Sequence, residues 1–160
     1  MARVALGLGS NLGARLANLR DAADRLRAAG EILARSDVFE TEPWGVRGQP
    51  FFLNACVLME SGLAPLELLS LVKGIEREMG RVENVRWGAR LIDIDILLME
   101  GLVFEAPELH IPHINLHDRD FVLVPLRQIA PQWRHPLLGR TVSEIEVPAS
   151  GRPPLRITAL

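Results

Sequence analysis

Val4 to Leu8 is a short apolar run that ends in glycines, and from Leu12 the apolar positions change spacing to Leu16, Leu19, Ala23 and Leu26, the stripe of an amphipathic helix. A strand therefore feeds a helix, with Ser10 or Asn11 placed to cap its start and Gly30 where a helix stop is expected. The segments ILARSDVFETE and PFFLNACVLMES are rich in β-branched and aromatic residues, and PWGVRGQP between them carries the glycines and prolines of a long connection. They read as two antiparallel strands. Pro65 suits the first turn of a second helix, whose apolar face runs Leu68, Val72, Ile75 and Met79 and which closes at Gly80. After the polar stretch RVENVRWGAR comes LIDIDILLM. Its strict alternation puts Asp93, Asp95 and Leu97 on one strand face and Ile92, Ile94, Ile96 and Leu98 on the other.

The succession β-α-β-β-α-β predicts an α+β domain of the ferredoxin-like plan: an antiparallel sheet with two helices packed on one face. The apolar flanks of the aspartate-bearing strand lead to the expectation that it is central. Beyond Gly101 the periodicity weakens, and LHIPHINLHDRDFVLVPLRQIAP predicts a short helix over Phe121 to Ile129. This C-terminal stretch reads as an elaboration of one domain spanning residues 1–160, with no internal repeat or linker. Pro148, Pro153 and Pro154 predict an extended or loosely held terminus.

Composition adds limits. With 48% hydrophobic and 24% charged residues in 160, the chain has the balance of a folded globular domain. A formal net charge of −2 provides no general attraction to nucleic acid or to an anionic membrane, so any polyanion site must be local. Cys56 is the only cysteine, which excludes an intramolecular disulfide and a cysteine-cluster metal centre. The N-terminal apolar stretch is shorter than a signal core, and no segment reaches the roughly 20 apolar residues of a bilayer span. A cytoplasmic protein acting on a small ligand, without a nucleic-acid or membrane partner, is expected, and as a monomer.

Carboxylates at positions i and i+2 of a strand project from one face and repel each other unless a proton or cation lies between them. A solvated face is the simpler reading of Asp93 and Asp95. Their apolar flanks make water a poorer solution, and their oxygens suit a hard cation such as magnesium. Arg81, Arg86 and Arg90 stand against a single acid, Glu83, in the loop just before the pair. Arginine forks bind phosphate oxygens, which magnesium also bridges, so loop and carboxylates together suggest a nucleotide phosphate site. GLGSNLG is one residue longer than the dinucleotide fingerprint and lacks the Lys-Ser/Thr pair of a phosphate loop, so it reads as a tight strand-to-helix turn. Four of the eight aromatics, Trp44, Phe52, Trp87 and Phe121, fall in or beside polar motifs and could stack on a flat heterocycle, with Asn54 available to a ring edge. His110, His113 and His117 lack the spacing of a helical metal pair and read as packing or phosphate-contacting residues.

Taken in order, GLGSNLG, ETEPWGVRGQPFFLNA, GRVENVRWGARLIDIDIL and LHIPHINLHDRDFVLVPLRQIAP resemble the 6-hydroxymethyl-7,8-dihydropterin pyrophosphokinases of folate biosynthesis, over most of residues 4–131. The resemblance implies transfer of pyrophosphate from ATP to the pterin hydroxymethyl group, with release of AMP. It implies that Asp93 and Asp95 hold two magnesium ions and that Arg81, Arg86, Arg90 and Trp87 belong to a loop that closes over ATP. Arg81 and Arg90, with the aspartates, are the expected catalytic residues. His113 and Arg119 match triphosphate contacts, and Glu76 and Ile96 match positions near the nucleotide. The pterin is expected between Phe52 and Phe121, with Asn54 and the backbone of Thr41, Pro43 and Trp44 reading its polar edge. The chain departs from the family pattern at Phe52, where a tyrosine is common, at Glu83, where a second arginine is frequent, and at Ala89 and Leu91. The rival readings are a non-catalytic ferredoxin-like nucleotide-binding module and an ordinary magnesium-dependent kinase or phosphohydrolase.

Overall fold

The computed structural model describes residues 1–43, 48–80, 90–148 and 152–160. Strand β1 (Ala2–Ser10) leads into helix α1 (Arg15–Arg25), which tightens into a 3-10 turn over Leu26–Ala28. Strands β2 (Gly30–Arg35), β3 (Asp37–Thr41) and β4 (Phe52–Ser61) precede helix α2 (Pro65–Glu78) and strand β5 (Asp93–Met99). The remainder holds the hairpin of β6 (Phe104–Ala106) and β7 (Leu109–Ile111), helix α3 (Asp120–Ile129), the short pair β8 (Arg134–His135) and β9 (Arg140–Thr141), and strand β10 (Leu155–Ala159). The helix over Phe121 to Ile129 is present, and the extended terminus is a sheet strand.

The main sheet runs β10-β3-β4-β1-β5, with β2 paired to the remaining length of β4. Every pairing is antiparallel, so β1 and β3 run parallel with β4 inserted between them, as the split β-α-β plan requires. The stretch ILARSDVFETE is not one strand. It slips register against β4 between Ile32 and Ala34, and it breaks at Ser36, whose Oγ accepts the Cys56 amide at 2.8 Å while its own amide donates to Cys56 O at 2.9 Å. Gly30 opens β2 because a Cβ there would stand 2.0 Å from Glu60 O, closer than any side chain permits.

The expectation of a central aspartate strand is corrected: among the described residues β5 is the outer strand of the sheet, paired with β1. Its open edge is covered from elsewhere. Glu76, 2% exposed, reaches from α2 to accept the Ile94 amide at 2.9 Å, and Leu97 O accepts the His113 amide at 2.8 Å. These contacts give the edge backbone partners that a neighbouring strand would otherwise supply.

Two cores flank the sheet. Val4, Leu6 and Leu8, with Ile94 and Ile96, pack under Leu19 and Leu26 beside α1 and under Leu68, Val72 and Ile75 of α2. On the opposite face α3 lays Val122, Leu123 and Leu126 against Ala5, Cys56, Leu97 and Leu98. Placing Leu98 with Leu97 breaks the strict alternation read from LIDIDILLM. A register shift between Ala5 and Leu6 leaves Leu97 as the extra residue opposite β1. The C-terminal elaboration thus adds a third layer, and it covers only part of its face.

Candidate active site

The uncovered part of that face is a cleft between the ends of β1, β3, β4 and β5 and the start of α3. Its floor is β1. Gly7 and Gly9 occupy alternate positions of an apolar strand on the face that carries Asp93 and Asp95, so the sequence puts bare backbone where the neighbouring strands put side chains. A Cβ at Gly9 would lie 2.8 Å from Asn54 Oδ1 and 3.5 Å from the Phe52 ring. The strand-to-helix turn expected of GLGSNLG is thus confined to its second half, where Gly13 has a φ of 71°, and does not include Gly7 and Gly9. They sit within β1, and the helix begins at Arg15 with Ala14 at its cap and no capping side chain.

Asn11, the other proposed cap, ties two loops together. Its Nδ2 donates to Gln49 Oε1 at 2.8 Å and Pro50 O at 3.0 Å, and its Oδ1 accepts the Arg90 amide at 2.6 Å. The sequence reading missed this role, because the partners lie 38 and 79 residues away. Gly7 and Gly9 were legible in principle. Two glycines at i and i+2 of an apolar strand mark a face that must stay bare for a close approach.

One wall is apolar and aromatic. Phe52 comes from β4 and Phe121 from α3, with Val122 and Leu97 closing the base. Asn54, 8% exposed, points its amide into this corner, and its Nδ2 donates to Thr41 Oγ1 at 2.6 Å. A buried amide fixed by one bond keeps its other donor and its acceptor for a ligand edge. The Arg119 guanidinium stands 5.4 Å from the centre of the Phe121 ring and also lines the cleft.

The opposite wall is charged. Asp93, Asp95 and Arg90 all line the cleft. Burial, and then the charge of Asp93, push the Asp95 carboxyl up to about 7, against the opposing pull of Arg119. His113 lies beside this wall, and burial followed by Arg119 holds its imidazole down at about 4, so it is neutral near pH 7. Its Nδ1 accepts the Asn115 amide at 3.2 Å, which leaves the proton on Nε2.

The structure brings together Thr41, Phe52, Asn54, Arg90, Asp93, Asp95, Arg119 and Phe121 as lining of one cleft. Pro43 is half-buried just beyond it. Glu76 and Ile96 lie on the helix side of β5, where Ile96 packs in the core and Glu76 holds the strand edge and meets Lys73 Nζ at 3.3 Å. Trp44, Arg81, Arg86 and Trp87 fall outside the described residues.

Known proteins resemble this chain in sequence and in fold. The profile of the 7,8-dihydro-6-hydroxymethylpterin-pyrophosphokinase (HPPK) family matches residues 5–131. The chain is 41% identical over 146 residues to a 2-amino-4-hydroxy-6-hydroxymethyldihydropteridine pyrophosphokinase of Aquifex aeolicus, covering 91% of each chain. It is 45% identical over 146 residues to the enzyme of the same description from Methylorubrum extorquens, covering 90% of this chain and 91% of that one. Among solved structures, Plasmodium falciparum HPPK-DHPS with pteroate superposes with a TM-score of 0.72 over 89% of this chain, at 17% identity. That likeness concerns the fold alone, and the present chain spans 41% of that longer protein.

Proposed function

We infer that this chain, which belongs to the 7,8-dihydro-6-hydroxymethylpterin-pyrophosphokinase family, transfers the pyrophosphoryl group of ATP to the hydroxymethyl oxygen of 6-hydroxymethyl-7,8-dihydropterin and releases AMP, a step of folate synthesis. The observation that carries this reading is the meeting, in one cleft, of an aromatic corner holding a fixed amide with a wall of two carboxylates and two arginines. A flat bicyclic ring with donors and acceptors along one edge fits the first. A polyphosphate with its counter-cation fits the second.

Magnesium, as two ions, is the metal we assign to Asp93 and Asp95. The donor set fits. Both groups are carboxylates on one strand face, and the Asp95 carboxyl is raised first by burial and then by the charge of Asp93, a setting that a bound cation would relieve. Among the described residues no three His, Cys, Asp or Glu side chains form a metal cage. That suits an ion which completes its shell with substrate phosphate oxygens and water. When bound, magnesium would neutralise charge on the transferring group and make the alcohol a better nucleophile.

The protein's own part is alignment and charge. The ring, gripped between Phe52 and Phe121 with Asn54 on its edge, directs the hydroxymethyl oxygen toward the carboxylate wall. That oxygen attacks the β-phosphorus in line and gives up its proton to solvent, the bond from the β-phosphorus to the oxygen bridging it to the α-phosphorus breaks, and AMP leaves with that bridging oxygen. Arg90 and Arg119 stand where negative charge must be spread, and His113 offers an uncharged Nε2–H donor to the triphosphate. Arg81 and Arg86, with Trp87, are assigned to ATP by their place in the family motif, as are Glu76 and Ile96. Leu97 and Val122 keep the base of the cleft apolar, which disfavours water as the acceptor. We assign the activity to a monomer in the cytoplasm; among the described residues no helix is long and apolar enough to cross a membrane.

Purified protein given ATP, magnesium and the pterin alcohol should form AMP and pterin pyrophosphate in equal amounts. ADP would instead indicate an ordinary kinase, phosphate release without a pterin product a hydrolase, and binding without turnover a nucleotide-binding module.

A further inference from the structure

The C-terminal segment passes the rim of the cleft at Arg152 before it joins the sheet as β10. Strand β10 pairs along β3, yet Leu155 and Ile157 remain 50% and 43% exposed, so apolar burial contributes little to holding it. Cationic side chains do more. Arg156 Nε bonds Asp37 Oδ2 at 3.0 Å, and Arg20 of α1 donates to Ala159 O at 3.1 Å. Nearer the cleft, the Arg152 guanidinium lies 4.9 Å from the centre of the Phe51 ring and 3.8 Å from Glu40 Oε1. The second oxygen of Glu40 receives Arg15 Nη1 at 3.1 Å, and the same nitrogen donates to Phe51 O at 2.9 Å.

Glu40 and Phe51 are the chain neighbours of Thr41 and Phe52, which line the aromatic corner. Arg15 and Arg152 therefore grip the two strand ends one residue outside the ligand-facing pair, Arg15 from a packed helix and Arg152 from the tail. We propose that Arg152 is a positioning residue for the ring-binding corner: its contacts with Phe51 and Glu40 set the spacing of Phe52 and Thr41, so that the C-terminal tail tunes affinity for the pterin without touching it. This rests on the reading of the corner as the pterin site.

The contact is half-exposed, with the Arg152 side chain 42% accessible, so its removal should leave the fold intact. Replacing Arg152 with Ala should raise KM for the pterin alcohol about three- to fivefold, the scale of an exposed cation–π pair with an ion pair beside it. The kcat and the KM for ATP should stay within twofold of wild type. Arg152→Lys, which keeps the charge and loses the planar stack, should recover part of the affinity. In a Phe51→Leu background the Arg152→Ala effect should shrink to the part owed to Glu40, because the partner ring is gone. An unchanged pterin KM in Arg152→Ala, or equal losses for pterin and ATP, would overturn the proposal. The wild-type assay separates the two levels: no turnover of the pterin alcohol by the intact protein would overturn both the reading of the corner and the role of the tail.

Discussion

At the scale of single residues, the Asp95 carboxyl and the His113 imidazole make opposite demands on stability. The Asp95 carboxyl, raised to about 7, takes up its proton in the folded chain well before it would in the unfolded one, so its ionisation costs stability as pH rises from about 4 through 7. His113 has the reverse sign. Held at about 4, it resists the proton that the unfolded chain accepts near its ordinary value, so stability is lost as pH falls from about 6.5 toward 4. In metal-free protein the two effects oppose each other across nearly the same range. Asp95→Asn should remove the first, gaining about 2 kcal/mol at pH 8 by urea unfolding and steepening the loss of stability on acidification, while turnover disappears. A variant no more stable than wild type at pH 8 would show that the carboxylates do not strain the apo fold. Gly9→Ala tests the floor. Its methyl group would meet Asn54 Oδ1 at 2.8 Å, so the pterin KM should rise at least tenfold with little change in unfolding midpoint.

At the scale of elements, the strands and helices of the first hundred residues were legible because each carries its own period. Leu68, Val72 and Ile75 are the buried stripe of α2, and Asp93 and Asp95 do share a face. What the sequence concealed depends on pairing between distant segments. The break at Ser36 exists because β3 meets β4 in a register shifted from that of β2, and β5 could be placed at the sheet edge only once β1 was known to pair with β4 on its other side. The same is true of Glu76. The family resemblance puts this residue near the nucleotide, and its bond to the Ile94 amide becomes visible only when α2 lies against β5. Glu76→Ala would leave that buried N–H without its acceptor, so a cost of about 1–3 kcal/mol is expected in denaturant unfolding. Glu76→Gln, which keeps an acceptor oxygen, should cost less. Equal losses would mean that the charge facing Lys73, and not the strand-edge bond, matters at this position.

For the whole molecule, the third layer explains why one sheet can serve both as a core wall and as a binding surface. Helices α1 and α2 seal one face, whereas α3 covers only the Ala5, Cys56 and Leu97 region of the other and leaves Gly7, Gly9 and Asn54 open beside Phe121. The tail closes the remaining flank through charged contacts, so salt should act on it before it acts on the cores. Raising ionic strength should increase the wild-type pterin KM by more than that of Arg152→Ala, and identical salt responses would argue against the ion pair with Glu40. Strand β10 runs from Glu40, beside the cleft, toward Asp37, and β1 starts opposite Ser61, at the far end from Gly9. Both ends of the polypeptide thus lead away from the mouth. A second domain tethered after Leu160 would leave the path of entering and departing ligands clear, whereas an insertion before Leu155 would pull directly on the clamp at Phe51.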